Sequence, residues 1–229
     1  VYRSKHVVLS NMNIPSGGSL PPLRTPKTNI QKYAQKIIQA GAPLAAEISF
    51  NDFTLNYINE AQEKLFPKDS KIMGVALRGT SYSKMKSGHH AVQPEIEELA
   101  RMVLRRKEEW GVDYVFFTNE ESETVAAMQE LLGDILLVLD RKRYVNYHIY
   151  SDNSPTPTDE DLNPLYTVGQ RYQTNLDYIT EMVLLSRCDC LLTALSNGIK
   201  AVLMWNGGRY EHMEILDRGT YAEAWEKRT

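Results

Sequence analysis

The chain has only two cysteines in 229 residues. Cys188 and Cys190 stand two apart in an expected strand, where they would share a face yet be badly placed to bond each other. They read as reduced packing residues, and a cytoplasmic location is expected. No apolar run approaches the roughly 20 residues a bilayer-spanning helix needs, and no signal peptide opens the sequence. Excess charge is lacking too: the net charge is −3 with both signs interspersed. That leaves no footprint for wrapping a nucleic-acid duplex, so any polyanion contact is expected to be local. There is no G-x-G-x-x-G after a strand, no G-x-x-x-x-G-K-[ST] and no nucleophile elbow, which counts against dinucleotide-dehydrogenase, P-loop and serine-hydrolase chemistry. No internal repeat is visible.

Metal-ligand patterns are equally thin. His89 and His90 are adjacent and point apart in extended chain, with no third ligand nearby. Asp159-Glu160-Asp161 has an Asp-x-Asp form but sits in a Ser-, Asn- and Pro-rich stretch rather than at a strand end, and reads as a solvated acidic run. No metal and no cofactor are expected.

What the chain does have is 42% apolar content, enough for one sizeable domain or a domain plus part of a second. Val1 leads almost directly into a strand, Lys5–Leu9, so sequence upstream of it is expected. Residues 10–26 read as a loop. Helical spacing then runs from Lys27 to Ala40 and is expected to stop at Gly41. A second helix spans Asn51–Phe66, with Phe53, Tyr57, Ile58, Ala61 and Leu65 on one stripe and Pro67 ending it. The apolar run Ile72–Leu77 reads as a strand. Pro94 fits the first position of the next helix, whose acidic start and basic end complement the helix dipole and whose stop is Gly111. Its expected buried face is Ile96, Leu99, Ala100, Val103 and Leu104.

Strands follow at 114–117, 135–139 and from Cys188, separated by helices carrying Val125, Met128 and Leu132, and then Tyr172, Leu176, Ile179 and Val183. Residues 151–164 read as a mobile loop. Residues 212–216 read as a last strand or irregular segment. Buried strands alternating with amphipathic helices predict an α/β fold, a Rossmann-like parallel sheet with helices on both faces. Residues 1–70 are expected to be the end of an upstream domain or linking helices, and 71–229 the Rossmann-like domain.

Arg78 follows the 72–77 run and opens a Gly-Thr-Ser-Tyr turn. A strand that delivers an arginine to its carboxyl end sets an always-charged fork where open α/β sheets bind ligands, and Thr80 and Ser81 can add hydroxyl donors. Leu191–Leu195 likewise runs into Ser196-Asn197-Gly198, a turn whose amides can cradle an anion or merely cap a helix. A diphosphate held between these two places is the simplest reading. Thr174, Asp177 and Glu181 share a polar stripe on one helix, and a carboxylate there can accept from the N–H edge of a guanine. Thr118, Asn119 and Glu120 end a strand, where they can meet a ligand or cap the next helix. His89 or His90 is a candidate general base.

Gly74–Thr80, the 88–94 stretch, the Tyr114–Glu120 strand end, and Leu184–Asp189 leading to Ser196–Gly198 together resemble the donor-binding half of fucosyltransferase-like GT-B glycosyltransferases, in particular the α1,6-fucosyltransferase and nodulation fucosyltransferase group. The resemblance spans roughly residues 71–221. Bacterial polysaccharide enzymes of this general type also carry a run like Tyr210-Glu211-His212 after a Gly-rich turn. The resemblance implies that Arg78 and Ser196-Asn197-Gly198 contact the nucleotide diphosphate and that Glu181 reads the base. It further implies GDP-fucose as donor, a glycan acceptor, inversion at the anomeric carbon and no metal. The acceptor domain would then lie upstream. Ser81 stands where the family has Asp, and no carboxylate lies between Arg78 and Glu95, which leaves the general base unassigned. Alternatives are a non-catalytic nucleotide- or glycan-binding module, a metal-dependent transferase using Asp159 and Asp161, and an unrelated Rossmann-like enzyme such as a methyltransferase.

Overall fold

The structure is a computed structural model that describes residues 29–79, 90–144 and 171–226. Five parallel strands form its centre: β1 (Ile72–Ala76), β2 (Tyr114–Thr118), β3 (Leu136–Leu137), β4 (Cys190–Ala194) and β5 (His212–Leu216). Their spatial order is β3-β2-β1-β4-β5. The chain therefore builds outward from β1 in one direction through β2 and β3, then returns to place β4 on its other side. This is the Rossmann-like α/β arrangement the alternation predicts.

The strands are short, apolar runs because both faces of the sheet are covered. Alternate residues point to opposite faces, so β1 sends Met73 and Val75 to one core and Ile72 to the other. The first core is closed by α3 (Ile96–Trp110) and α4 (Ser122–Leu132), through Leu99, Ala100, Val103, Met128 and Leu132. The opposite core is closed by α5 (Arg171–Arg187) and α6 (Asn197–Asn206), through Leu184, Leu185, Val202 and Leu203. Gly74 lets α5 come close: a Cβ there would lie 3.0 Å from Leu185 Cδ2 and 3.2 Å from Cys188 Sγ.

Two helices precede the sheet, α1 (Ile30–Glu47) and α2 (Asp52–Leu65). They do not stand apart from it. Ile30, Tyr33, Ala34 and Ile37 of α1 and Ile58 of α2 belong to the same buried cluster as α5 and α6. Asn29 and Asn51 cap them, accepting from Lys32 N at 3.0 Å and Thr54 N at 2.8 Å. The short helix α7 (Tyr221–Glu226) follows β5 and was not expected from the sequence.

Several sequence expectations are corrected here. Helix α1 runs through Gly41 and Pro43 to Glu47 instead of stopping at Gly41. Gly41 is there for contact, not termination, since a Cβ on it would collide with Met204 of α6. On α2 only Ile58 is fully buried, and Phe53 is 60% exposed. Helix α3 begins at Ile96 with Glu95 at its N-cap, so Pro94 lies outside it, and Leu104 is exposed. Gly111 does end α3, at φ 61°, where the left-handed region favours glycine. The cysteines do not share a face: Cys188 precedes β4 and donates to Leu184 O in one core, while Cys190 opens β4 and faces the other. Residues 5–9, 10–26 and 151–164, including Asp159 and Asp161, lie outside the described residues.

Candidate functional site

Strand order reverses between β1 and β4, and in open α/β sheets ligands bind beyond the carboxyl ends of the strands at such a reversal. Met73 to Ala76 of β1 pair with Cys190 to Thr193 of β4. Arg78 leaves the end of β1 and Ser196 the end of β4, so chain positions 118 apart emerge side by side. Thr193 Oγ1 ties the two strands by donating to Ala76 O at 3.0 Å. The crevice above them encloses about 390 Å³ open to solvent, and Arg78, Thr118, Glu120, Glu181, Ser196 and Gly198 all line it.

Each wall has a local cause. Gln93 accepts from the Arg78 backbone N–H at 3.2 Å, steering the chain out of β1. Asn119 bridges the neighbouring strand ends, donating from Nδ2 to Leu77 O and accepting from Glu121 N, both at 2.8 Å. Residues 118–120 are therefore not a cap for α4, whose N-cap position is Glu121 with no side-chain cap bond. On the opposite wall Ser196 is the N-cap of α6 and accepts from Ile199 N at 3.3 Å. The first-turn amides of Asn197 and Gly198 have no partner within the helix. Asn197 itself is exposed and Gly198 half-buried. Gly198 is hemmed in, because a Cβ on it would lie 2.5 Å from Tyr178 Oη.

The charges of the crevice are paired. Arg78 Nη1 lies 2.5 Å from Glu120 Oε1. Deeper, Arg141 Nε lies 2.7 Å and Arg143 Nη2 3.5 Å from Glu181 Oε1. Those three side chains are only 4%, 8% and 2% exposed. Burial pushes the Glu181 carboxyl above its ordinary range, and the two guanidiniums oppose that shift. Burial alone would lower the Arg141 pKa, but the charge and hydrogen bond of Glu181 more than reverse it. Arg143 is lowered by burial. Both arginines also donate to Asn119 O, at 3.1 and 3.2 Å, so the cluster holds the end of β2 as well.

Neither arginine was singled out from the sequence. They lie in Asp140-Arg-Lys-Arg143, just beyond β3. Its place at a strand's carboxyl end was the available signal.

The stripe expected on α5 is divided by the structure. Thr174 and Asp177 face a second, larger cavity, of about 840 Å³ including open solvent, which Tyr57, Asp140 and Lys142 also line. Asp177 accepts from Tyr57 Oη at 2.8 Å and from Gln173 Nε2 at 2.7 Å. Burial and this hydrogen bond raise the Tyr57 pKa to about 12. Arg141 lines both cavities and so joins them. Glu181 is not a free carboxylate waiting for a base; its Oε1 is committed to the two guanidiniums. Thr80, Ser81 and His89 lie outside the described residues. His90 does not line the crevice, and its carbonyl accepts from Tyr221 N at 3.1 Å at the entry to α7.

No protein-family model matches the chain, and no curated protein matches it in sequence. Among solved structures it is similar to POFUT1 in complex with GDP, with 11% identity and a TM-score of 0.45 over 72% of this chain and 46% of that one. It is also similar to POFUT1 in complex with GDP-fucose, with 9% identity and a TM-score of 0.44 over 81% of this chain and 49% of that one. The chain spans about half the length of these structures. Among the described residues, no helix is long and apolar enough to cross a membrane.

Proposed function

We propose that this chain is the nucleotide-sugar-binding half of a glycosyltransferase and holds a nucleoside diphosphate between Arg78 and the turn at Ser196, Asn197 and Gly198. The observation that carries the proposal is the meeting of a β1-end arginine and a capped helix start at the β4 end, in one crevice at the reversal of strand order. A guanidinium and first-turn amides are complementary to phosphate oxygens in both charge and direction. As a sugar leaves, negative charge grows on the diphosphate, and donors fixed beforehand stabilise it without reorganising. The nucleoside would extend along the ends of β2 and β3, with the base toward the cavity that Asp177 lines.

The motif resemblance supports GDP-fucose as donor, a glycan acceptor, inversion and a reaction without metal. In that reaction an acceptor hydroxyl oxygen attacks the anomeric carbon, the carbon–phosphate oxygen bond breaks, and a base takes the hydroxyl proton. No side chain of the described crevice is assigned as that base. A second reading, a binding module that kept the fold without transfer, is favoured by the absence of a carboxylate between Arg78 and Glu95. Calorimetric titration with GDP, UDP and CMP tests the proposal: GDP binds, and CMP, with one phosphate, binds far more weakly. Failure of every diphosphate to bind would overturn it.

A further inference from the structure

We infer that Gln93 and Asn119 are positioning residues for Arg78, gripping from both edges the peptide group that joins Leu77 to Arg78. This rests on the diphosphate reading above and identifies what aims the guanidinium which that reading requires. Leu77 N–H still donates across the sheet, to Thr118 O at 3.2 Å. The next peptide group is held by side chains instead. Its carbonyl, Leu77 O, accepts from Asn119 Nδ2 at 2.8 Å, and its N–H, on Arg78, donates to Gln93 Oε1 at 3.2 Å. Asn119 and Gln93 are 2% and 8% exposed, so water competes little for either bond.

Both amides are themselves oriented. Asn119 Oδ1 accepts from Glu121 N at 2.8 Å, which turns its Nδ2 toward Leu77 O. Gln93 Nε2 donates to Ala91 O at 3.0 Å, which turns its Oε1 toward the Arg78 N–H. A flip of either amide would set donor against donor and acceptor against acceptor. The segment that carries Gln93 is in turn tied to the chain after β5, where Val92 N donates to Gly219 O at 3.0 Å and Tyr221 N to His90 O at 3.1 Å. A peptide plane fixed at both edges fixes the direction in which the Arg78 side chain leaves the backbone. A guanidinium lies at the end of a long side chain, so a small tilt at Cα becomes a displacement on the order of 1 Å, enough to spoil its fit to phosphate oxygens. Arg78 Nη1 also meets Glu120 Oε1, so the side chain is set at its base by two amides and at its tip by a carboxylate.

The test is a double-mutant cycle on the binding of inorganic pyrophosphate and GDP to this chain. Gln93→Met removes the acceptor at similar side-chain length and is expected to weaken both probes about 3- to 10-fold, the worth of one hydrogen bond. In an Arg78→Ala background the same change should alter affinity by less than about 2-fold, because a residue that acts through Arg78 has nothing left to aim. Asn119→Ala removes the donor at the other edge without adding charge and should show the same dependence on Arg78. Unchanged affinity in a folded Gln93→Met protein overturns the inference and leaves the diphosphate reading in place. A loss of equal size with and without Arg78 also overturns it, because the amides would then act on the crevice as a whole. Failure of both variants to fold makes the amides structural supports and overturns it too. If the wild type binds neither pyrophosphate nor GDP, the diphosphate reading itself falls.

Discussion

Replacing Glu181 by Gln should remove a large share of the protein's stability while changing the shape of one side chain hardly at all. The carboxylate is 2% exposed, and its Oε1 meets Arg141 at 2.7 Å and Arg143 at 3.5 Å, themselves 4% and 8% exposed. An amide in its place leaves two buried guanidiniums without the carboxylate they contact. Breaking a buried ion pair from one side costs about 3–5 kcal/mol, because the remaining charge stays desolvated. For a domain of this size each kcal/mol moves the melting temperature by about 2–4 °C, so a fall of roughly 6–20 °C is expected. Thermal unfolding followed by circular dichroism, with urea titration at 25 °C, measures it. The triple variant Arg141→Met, Arg143→Met and Glu181→Leu supplies the check, since exchanging a whole buried ion cluster for apolar residues is often neutral. It should be more stable than Glu181→Gln. A Glu181→Gln protein within 1 kcal/mol of wild type would refute the view that this carboxylate neutralises the cluster.

Arg78→Ala should leave the melting temperature within a few degrees and weaken GDP binding about 10- to 100-fold, the worth of one or two charge-assisted bonds, as read by calorimetry; unchanged affinity would remove Arg78 from the site. Gly41→Val should cost about 1–3 kcal/mol by driving a side chain into Met204, and pairing it with Met204→Ala should recover much of that loss in urea titration. Tyr57 gives a pH dependence whose sign follows from its raised pKa. Its hydroxyl is held protonated in the fold to about pH 12 against about 10 unfolded, so the stabilisation is fully present below about pH 10 and lost as pH rises through about 12. Denaturation of wild type and Tyr57→Phe across that window should converge at the alkaline end; a constant difference would contradict the assignment.

The sheet and the two ends of the crevice were legible because their signals are local. An apolar run such as 72–77 followed by Arg78, or 191–195 followed by Ser196-Asn197-Gly198, declares a strand and what it delivers. Parallel pairing then follows from the alternation with helices. The Glu181 cluster was not legible, because its members are about 40 positions apart and helical spacing alone set Glu181 on an outward polar stripe. Helix α5 is instead covered on more than one side, by the sheet, α2 and α6, so Asp177, Thr180 and Glu181 are buried with partners. Gly41 misled for a related reason. A glycine's usual local meaning in a helix is an end, whereas here it answers to Met204, over 160 positions later. The cysteines were misassigned because the strand begins at Cys190 rather than Cys188.

The packing of α1 against α6 fixes the order in which the polypeptide can acquire its shape during synthesis. The apolar stripe of α1 emerges from the ribosome first, yet the surface that covers it ends at Asn206. At elongation rates of about 5–20 residues per second, that stripe waits roughly 8–30 s for its partner. Nascent chains caught between those two points would carry Ile30, Tyr33 and Ile37 uncovered, as a target for a chaperone that holds exposed apolar segments.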